Sequence, residues 1–304
     1  MKKSNVKEVL EKHIVPIQED PVRLSDYVPG IFVAISTKKG MKKAIERGLV
    51  LVNGVPSHTS KYINGGELIE LCQSDFLSKK PTIKIKLDVL LEDDYLAIVH
   101  KPAGIVVSGN KKHTLENALP AALATSKEQD ALPRPLPAHR LDYPTSGVLL
   151  IGKTAKAVTA LNKLFENRTI SKSYNAITIG EMEKSGTIKT AIKTKKAHTD
   201  FEVIKSFPSK KYGQLNLVQL TPHTGRKHQL RLHMKELGNP ILGDQMYGVK
   251  GSILLGKGLY LHATSLSFEH PFTQEKIHVE TALPPKFMRV INNPGHSGGQ
   301  EQEE

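Results

Sequence analysis

The sequence of 304 residues contains no tryptophan, one cysteine and few aromatic residues, which make up 5% of the chain. The lone Cys72 excludes an internal disulfide and a metal site built from several thiolates, and its apolar neighbours favour a buried structural thiol. Few aromatic rings mean few platforms on which unpaired bases could stack. Contacts to bases would have to come from a small number of Tyr, Phe, His or Arg side chains.

Long apolar runs are also missing, and the first eight residues are not followed by the hydrophobic centre of a secretory signal. We therefore expect a cytoplasmic protein without a membrane span. The sequence has no sustained heptads and no long apolar seam, so a monomer is expected and no protein partner is implied.

Positive charge is what the chain has in excess. Lys and Arg number 43 against 30 Asp and Glu, which gives a formal net charge of +13. A balance of this kind indicates a polyanionic partner, with nucleic acid as the first candidate and an anionic membrane as the second. The length accommodates one large domain and one small domain.

A polar stretch around residues 74–81 divides the chain into two unequal parts. We predict an N-terminal domain over residues 1–75, a linker over 76–85 and a larger domain over 86–293. The tail, residues 294–304, is rich in Gly, Ser, Gln and Glu without apolar residues, so we expect it to be disordered.

The N-terminal part has a short basic helix. The pattern predicts a short helix over 42–48 that ends at Gly48, then a strand over 49–52 and a turn at Asn53-Gly54. Basic side chains crowd this helix and the loop before it: Lys38, Lys39, Lys42, Lys43 and Arg47. They indicate either a surface that faces RNA or an ordinary solvated face.

The larger part alternates strands and helices. Apolar residues at positions 83, 85, 87 and 89 predict a half-buried strand, and 96–100 predicts another. A helix should begin after the N-cap Thr154 and end near Asn167. Further strands are expected around 173–179, 200–205, 214–220 and 266–269, joined mostly by hairpin-like turns. These elements predict an α+β fold with a mixed, mainly antiparallel sheet.

The segment 139–147 places one carboxylate, Asp142, between Arg140 and a tight turn, directly before the apolar run 148–151. Turn residues can aim such a side chain into a cleft while the following strand anchors it. Taken alone, the segment fits equally a solvated Asp in the loop that enters a strand.

A second dense segment, residues 221–234, predicts a helix capped by Thr224 and ended by Gly238. Its apolar stripe is formed by Leu230, Met234 and Leu237. Arg231 lies outside that stripe, where it could form a bidentate contact with a carboxylate of another element. The alternative is a basic helix facing solvent.

Three histidines in this segment, His223, His228 and His233, do not have the spacing of a metal site. Steps of five residues separate them around a helix and put neighbours on opposite faces of a strand. Residues 92–94, Glu-Asp-Asp, are interpreted as a turn rather than a Mg²⁺ site. We therefore predict no metal ion.

Two parts of the chain resemble known families. Residues 23–71 resemble the small S-four-like RNA-binding domain, through residues 23–28, the basic helix and residues 48–54. After residue 85 the chain resembles the RluA-type pseudouridine synthases. That resemblance rests on five ordered blocks: 94–104, 139–147, 172–174, 224–244 and 261–271.

The second resemblance implies the pseudouridine synthase fold and an enzyme that converts uridine in RNA to its carbon-linked isomer without metal or organic cofactor. Asp142 would attack either the anomeric carbon of the sugar or carbon 6 of the base. Arg231 would orient it, and Tyr174 would stack on the uracil. Arg140 would fill the space left by the extruded base. Further RNA contacts are expected from His139, Lys172, Arg226, Lys227 and His228.

The resemblance makes large-subunit ribosomal RNA the first candidate substrate and transfer RNA the second. Two other functions remain open. The chain could be an RNA-binding protein without activity, or a hydrolase that acts on nucleosides through the same carboxylate. A net charge of +13 is more than a small substrate needs, which counts against the hydrolase.

Overall fold

The computed structural model describes residues 8–35, 37–72, 81–248 and 258–292. Half of the expected linker, 76–85, and the whole expected tail, 294–304, lie outside these ranges. The division into two domains therefore stays a prediction.

The N-terminal part, residues 8–72, combines short helices with a small antiparallel sheet. Its helices are α1 (Leu24–Tyr27) and α2 (Lys38–Glu46), and a 3₁₀ turn spans Val33–Ile35. Its strands are β1 (Val9–Ile14), β2 (Val22–Arg23), β3 (Val50–Val52), β4 (Val55–Pro56), β5 (Tyr62–Ile63) and β6 (Leu68–Cys72). The sheet has the order β1-β6-β3-β4, and β2 pairs with β5.

Helix α2 confirms the predicted basic helix, although it begins earlier than the apolar pattern alone indicates. The Thr37 hydroxyl caps it by accepting a hydrogen bond from the Gly40 amide at 3.1 Å. Met41, Ala44 and Ile45 face the core, so the lysines lie on the opposite, exposed face. The turn after β3 has positive φ angles at both Asn53 and Gly54, as a tight hairpin turn requires.

The larger part is built on one extended sheet. Its helices are α3 (Leu115–Ala122), α4 (Ala155–Glu166), α5 (Gln229–Glu236) and α6 (Pro285–Asn292). Its strands are β7 (Asp88–Glu92), β8 (Leu96–Lys101), β9 (Ala131–Pro137), β10 (Ser146–Thr154), β11 (Ser171–Ile179), β12 (Ser185–Ile188), β13 (Thr199–Ser209), β14 (Gly213–Pro222), β15 (Leu261–Glu269) and β16 (Lys276–Glu280).

The strand order is β12-β13-β14-β11-β15-β10-β8-β7, with β16 on β15 and β9 on β10. Among the described strands of this sheet, β10 and β15 form the one parallel pair. The sheet is therefore mixed and mainly antiparallel, which confirms the predicted α+β class.

Strand β10 anchors the loop that carries Asp142. All nine of its residues are buried, and it pairs with β8, β9 and β15. At the parallel crossing, Gly147 adopts a φ of +118°, and a Cβ there would overlap the carbonyl oxygen of Ala263. Glycine lets the two backbones approach, so the loop before β10 is held against a rigid sheet.

Two apolar clusters of the core meet beside strand β10. One apolar cluster joins β11, β13 and β14 to α5 and α6, and another joins β8 and β10 to α3. Tyr174 of β11 packs against both clusters. Tyr174 and Gly147, at the start of β10, both pair with Ala263 of β15, so Tyr174 lies beside the loop that carries Asp142.

Two local predictions were wrong. Residues 83–87 alternate in burial as expected, but the strand begins only at Asp88; the amide of Ile83 bonds to the carbonyl of Asn117 instead of a strand. Helix α5 begins at Gln229, after His228 in the left-handed region, and Thr224 does not cap it. The Thr224 hydroxyl donates to the Gln229 side chain at 2.7 Å.

The predicted apolar stripe of α5 is also shorter than expected. Leu230 and Met234 are buried, but Leu237 is 41% exposed. Leu237 follows the last helical residue, and Gly238 with φ +87° turns the chain away. Gly238 therefore ends the helix as predicted.

Candidate active site

The loop that carries Asp142 is fastened to the loop after β8. Lys101, fully buried, donates hydrogen bonds to the carbonyls of Thr145 at 2.7 Å and Pro102 at 2.9 Å. The amide of Gly104 bonds to the Tyr143 carbonyl at 2.9 Å. Burial lowers the pKa of Lys101 to about 8, while the charge of Asp142 acts in the opposite direction. These contacts fix the backbone on both sides of Asp142.

The Asp142 carboxylate lies between Arg231 of α5 and His228, the residue directly before that helix. One oxygen is 3.5 Å from Nη1 of Arg231, and the other is 3.7 Å from Nε2 of His228. The Asp142 side chain is 16% exposed. It is thus largely withdrawn from water but still open toward the cleft.

Arg231 is held mainly by a different acid. Its Nε and Nη2 each donate to a carboxylate oxygen of Asp244 at 2.7 Å, and both side chains are buried. Burial acts to lower the pKa of Arg231, but the hydrogen bond and charge of Asp244, helped by Asp142, raise it above its ordinary value. The guanidinium stays charged and presents Nη1 to Asp142.

Tyr247 completes the packing around this guanidinium. Its ring lies 4.9 Å from the Arg231 Cζ, a cation–π contact, and its hydroxyl is 2.8 Å from Nδ1 of His228. Burial lowers the pKa of His228, against the charge of Asp142. His228 therefore has both ring nitrogens directed at named partners.

Tyr174 faces the same space from β11. Burial, and secondarily the negative charge of Asp142, raise the pKa of its phenol above the ordinary value. A bulge at Ser173/Tyr174 interrupts the pairing with β15 and re-aims the side chain. At neutral pH the phenol is protonated and can donate a hydrogen bond.

Two cavities meet at Asp142. One, of about 900 Å³, is lined by Asp142, Tyr174 and Arg231 together with basic residues of β11 and of the loop before α5. The other, of about 1040 Å³, is bounded by the loop after β8 and the start of α6. Asp142, Arg140, Lys227, His228 and Arg231 line both. A nucleotide-sized hollow therefore exists on each side of the carboxylate.

The structure brings the predicted catalytic residues Asp142, Tyr174 and Arg231 to one cleft. The RNA-contact residues predicted beside them also line it: Arg140, His139, Lys172, Arg226, Lys227 and His228. Arg140 and Lys227 are exposed, which suits contact with a large ligand.

Three of these residues also have structural contacts. His139 Nε2 accepts from the Leu150 amide at 3.0 Å, and burial lowers its pKa to about 3, so the imidazole is neutral. Lys172 lies 5.5 Å over the Phe165 ring, and burial lowers its pKa. Arg226 donates to the carbonyl of Lys196 at 3.0 Å. Their predicted contacts with RNA stay predictions.

The basic residues of α2 belong to the N-terminal part rather than to this cleft. Lys39, Lys42 and Lys43 are exposed, as are Lys38 and Arg47. Lys38 forms an ion pair with Asp26 at 2.7 Å. This ion pair neutralises one of the five positive charges that we predicted for the basic surface of α2 and the residues beside it.

Sequence reasoning missed the roles of Lys101, Asp244 and Tyr247. Asp244 closes the block that begins at Thr224, and Lys101 opens the turn before Gly104, so both lay in recognised segments. The sequence offered one signal for Asp244, because a buried Arg needs a carboxylate partner of its own. Nothing local indicates that Lys101 binds a loop more than forty residues away.

The structure places His223, His228 and His233 in different surroundings. His228 bonds to Tyr247, and buried His233 bonds to Thr199 and the Thr190 carbonyl. Within the described ranges, the one group with metal-ligand geometry is instead His198, Asp200 and His223. The pairing of β13 with β14 brings His198 and Asp200 to His223, and the spacing along the sequence does not indicate this contact.

The fold around this cleft, compared with known proteins, identifies the class of enzymes that isomerise uridine in RNA. The family model for RNA pseudouridylate synthase matches residues 95–236. The chain belongs to this family as an RluA-type RNA pseudouridine synthase.

Relatives cover most of the chain. Ribosomal large subunit pseudouridine synthase D of Neisseria meningitidis is 33% identical over 279 residues, or 82% of this chain and 72% of that protein. tRNA pseudouridine synthase C of Pasteurella multocida is 35% identical over 237 residues, or 68% of this chain and 95% of that protein. An uncharacterised RNA pseudouridine synthase of Aquifex aeolicus is 31% identical over 94% of this chain and 97% of its own length.

A solved structure is similar as well. Human RNA pseudouridylate synthase domain containing 1 superimposes with a TM-score of 0.55 at 26% identity, covering 65% of this chain and 83% of that one. Among the described residues, no helix is both long and apolar enough to cross a membrane.

Proposed function

We propose that Asp142 is the nucleophile of this pseudouridine synthase, that Arg231 orients it and that Tyr174 stacks on the uracil. The observation that supports the proposal is the Asp142 carboxylate, 16% exposed, at the junction of two hollows, with Arg231 3.5 Å away. A carboxylate that is largely withdrawn from water and held by a cation can be aimed at a reacting carbon.

In this mechanism the carboxylate attacks the anomeric carbon or carbon 6 of the uracil. The bond between the sugar and nitrogen 1 breaks, the base turns within the cleft, and a new bond forms at carbon 5. The bond between Asp142 and the substrate breaks in the course of this rearrangement, and the released carboxylate can accept the proton that leaves carbon 5. Tyr174 donates a hydrogen bond rather than acting as a phenolate, since its pKa is raised.

The substrate uridine reaches Asp142 only if it leaves its stack. Arg140 is exposed and lines both hollows, so its flat guanidinium can occupy the place of the extruded base. Exposed Lys227 at the same junction supplies a contact for the RNA backbone.

Large-subunit ribosomal RNA is the proposed target. The match to large-subunit pseudouridine synthase D covers 82% of this chain, more than the catalytic region 86–293 alone would supply. The basic helix α2, outside the region 86–293, offers a second RNA-binding surface. Transfer RNA is the second candidate, because the relative named as a tRNA enzyme matches 68% of the chain.

Tritium release from RNA labelled at carbon 5 of uridine tests the activity. Release without free uracil is the expected result; free uracil would identify a hydrolase, and no release from any RNA would leave a binding protein. Pseudouridine mapping in a strain that lacks the protein, compared with its parent, tests the target. Loss of a modified position in large-subunit RNA is expected, and loss only in transfer RNA would overturn the proposed target.

A further inference from the structure

Three neighbouring strands place polar side chains together at one end of the extended sheet. Asp200 of β13 pairs in register with Thr187 of β12, and His198 precedes it by two residues, so His198 and Asp200 lie on the same face. On the other side of β13, the amide of His223, just after β14, bonds to the His198 carbonyl at 3.0 Å. Strand pairing therefore converges two imidazoles and one carboxylate.

The side chains confirm this convergence. His223 Nε2 is 2.6 Å from one Asp200 oxygen, and His198 Nε2 is 3.2 Å from the other. The two imidazole rings stack with centroids 4.1 Å apart. The candidate ligand atoms of the three residues all lie within 4.8 Å of one another.

This spacing is close to what a zinc ion requires. Nitrogen and oxygen ligands at about 2.0–2.2 Å in tetrahedral geometry lie roughly 3.3 Å from each other. The Thr187 hydroxyl bonds to Asp200 at 2.7 Å, as outer groups do around metal-binding carboxylates.

We propose that His198, Asp200 and His223 form a binding site for one divalent transition-metal ion of the Zn²⁺ type. The ligand set is two imidazoles and one carboxylate, a combination that suits Zn²⁺ and is a poor one for Mg²⁺, which prefers oxygen ligands. The site is separate from the residues proposed to carry out the isomerisation.

The position of the site gives it a consequence for ligand binding. His198 and His223 line the same hollow as Asp142 and Tyr174. Their side chains are 33% and 42% exposed, so water or a phosphate oxygen can complete the coordination. A bound ion would therefore add positive charge to the wall of the cleft.

The test uses the untagged full-length protein and Zn²⁺ in competition with a chromophoric chelator. Wild type should bind one equivalent of Zn²⁺, and excess Mg²⁺ should not displace it. Co²⁺ in its place should give the intense d–d absorption of a tetrahedral site. His223→Ala and Asp200→Asn should each weaken Zn²⁺ binding at least about tenfold, and Thr187→Val by about tenfold through the lost outer hydrogen bond.

His278→Ala is the matched control. His278 is an exposed strand histidine that lies 3.8 Å from Glu280 two residues on, but among the described residues no third ligand converges on this pair. This variant should bind Zn²⁺ like wild type. Equal affinity in wild type, His223→Ala and Asp200→Asn, with each variant folded by circular dichroism, would overturn the proposal. So would equal loss in His278→Ala.

Discussion

Arg231 and Asp244 form a buried bidentate ion pair, with Nε and Nη2 each 2.7 Å from a carboxylate oxygen. The same guanidinium reaches Asp142 only through Nη1, at 3.5 Å. Asp244 therefore holds the Arg231 guanidinium, which presents Nη1 to Asp142. In the proposed mechanism this longer contact orients the Asp142 carboxylate and leaves it available to react.

Removing Asp244 should leave a buried guanidinium without its main partner. We expect Asp244→Ala to lower the free energy of unfolding by about 3–5 kcal/mol, as for other broken buried pairs. Denaturant titration measures this loss. Asp244→Asn keeps the shape and should fold, but with a reduced kcat because Arg231 is no longer fixed. Asp244→Asn with the stability and kcat of wild type would contradict the assigned role.

Asp142→Asn should abolish turnover while RNA still binds. The amide has nearly the same shape but is no nucleophile, and the basic walls of the cleft are unchanged. Single-turnover tritium release measures activity, and a filter-binding titration measures affinity. Asp20→Asn, an exposed acid with the same change of charge, is the control. Activity of Asp142→Asn within tenfold of wild type would exclude Asp142 as the nucleophile.

Tyr174→Phe keeps the ring for stacking but removes the hydroxyl. We expect kcat to fall by about tenfold to a hundredfold, because the hydrogen bond that the phenol donates to the substrate is lost, with little change in RNA affinity. Tyr62→Phe, in the N-terminal part, removes a hydroxyl away from the cleft and should retain the wild-type rate. An unchanged kcat for Tyr174→Phe would limit Tyr174 to packing.

The sequence predicted much of this cleft because its residues occur in compact segments. The turn at 142–147 and the strand after it showed where Asp142 would be anchored, and the helical spacing around Arg231 was interpreted correctly as a helix. The predicted start of that helix was wrong. The left-handed conformation of His228 and the Thr224–Gln229 hydrogen bond depend on tertiary contacts. Local patterns do not encode them.

Contacts between distant segments could not be predicted in the same way. Lys101, the last residue of β8, donates to the Thr145 carbonyl directly before the neighbouring strand β10. His198 meets His223 only because β13 pairs with β14. Such pairs depend on strand register. Strand register is specified where one face of the sheet must be buried. Which face is buried depends on the packing of the whole fold, so local patterns do not predict the register.

His262 should make the protein sensitive to acid. It is fully buried between the hydroxyls of Ser146 and Thr281, and burial, helped by the charges of His100 and Lys286, lowers its pKa to about 4. In the unfolded chain this imidazole titrates near 6.5. Between pH 6.5 and 4 the unfolded chain thus binds one more proton, so stability is present above pH 6.5 and is lost as pH falls.

We expect His262→Gln to reduce the slope of unfolding free energy against pH in that window by about 1.4 kcal/mol per pH unit. Urea titrations at several pH values measure the slope. His278→Gln, which changes an exposed histidine, should keep the wild-type slope. If the slope of unfolding free energy against pH is the same in His262→Gln and wild type, the acid sensitivity does not come from His262.

The exposed lysines of α2 should contribute to RNA affinity through phosphate contacts. Replacing Lys39 and Lys42 with Gln removes two charges from the exposed face without touching the buried Met41 and Ala44. We expect weaker binding of ribosomal RNA fragments and a plot of log affinity against log salt that is flatter by about 1–2, since each lost phosphate contact contributes roughly 0.7–0.9 to the slope.

The matched control for α2 replaces Lys205 and Lys210 with Gln. Both are exposed residues of the β13–β14 hairpin, and Lys210 follows the end of β13 opposite to Asp200. This control removes the same charge from a surface with no proposed RNA contact, so its salt slope should stay near that of wild type. Equal slopes for the two double variants would mean that α2 attracts RNA only through net charge and makes no specific phosphate contacts.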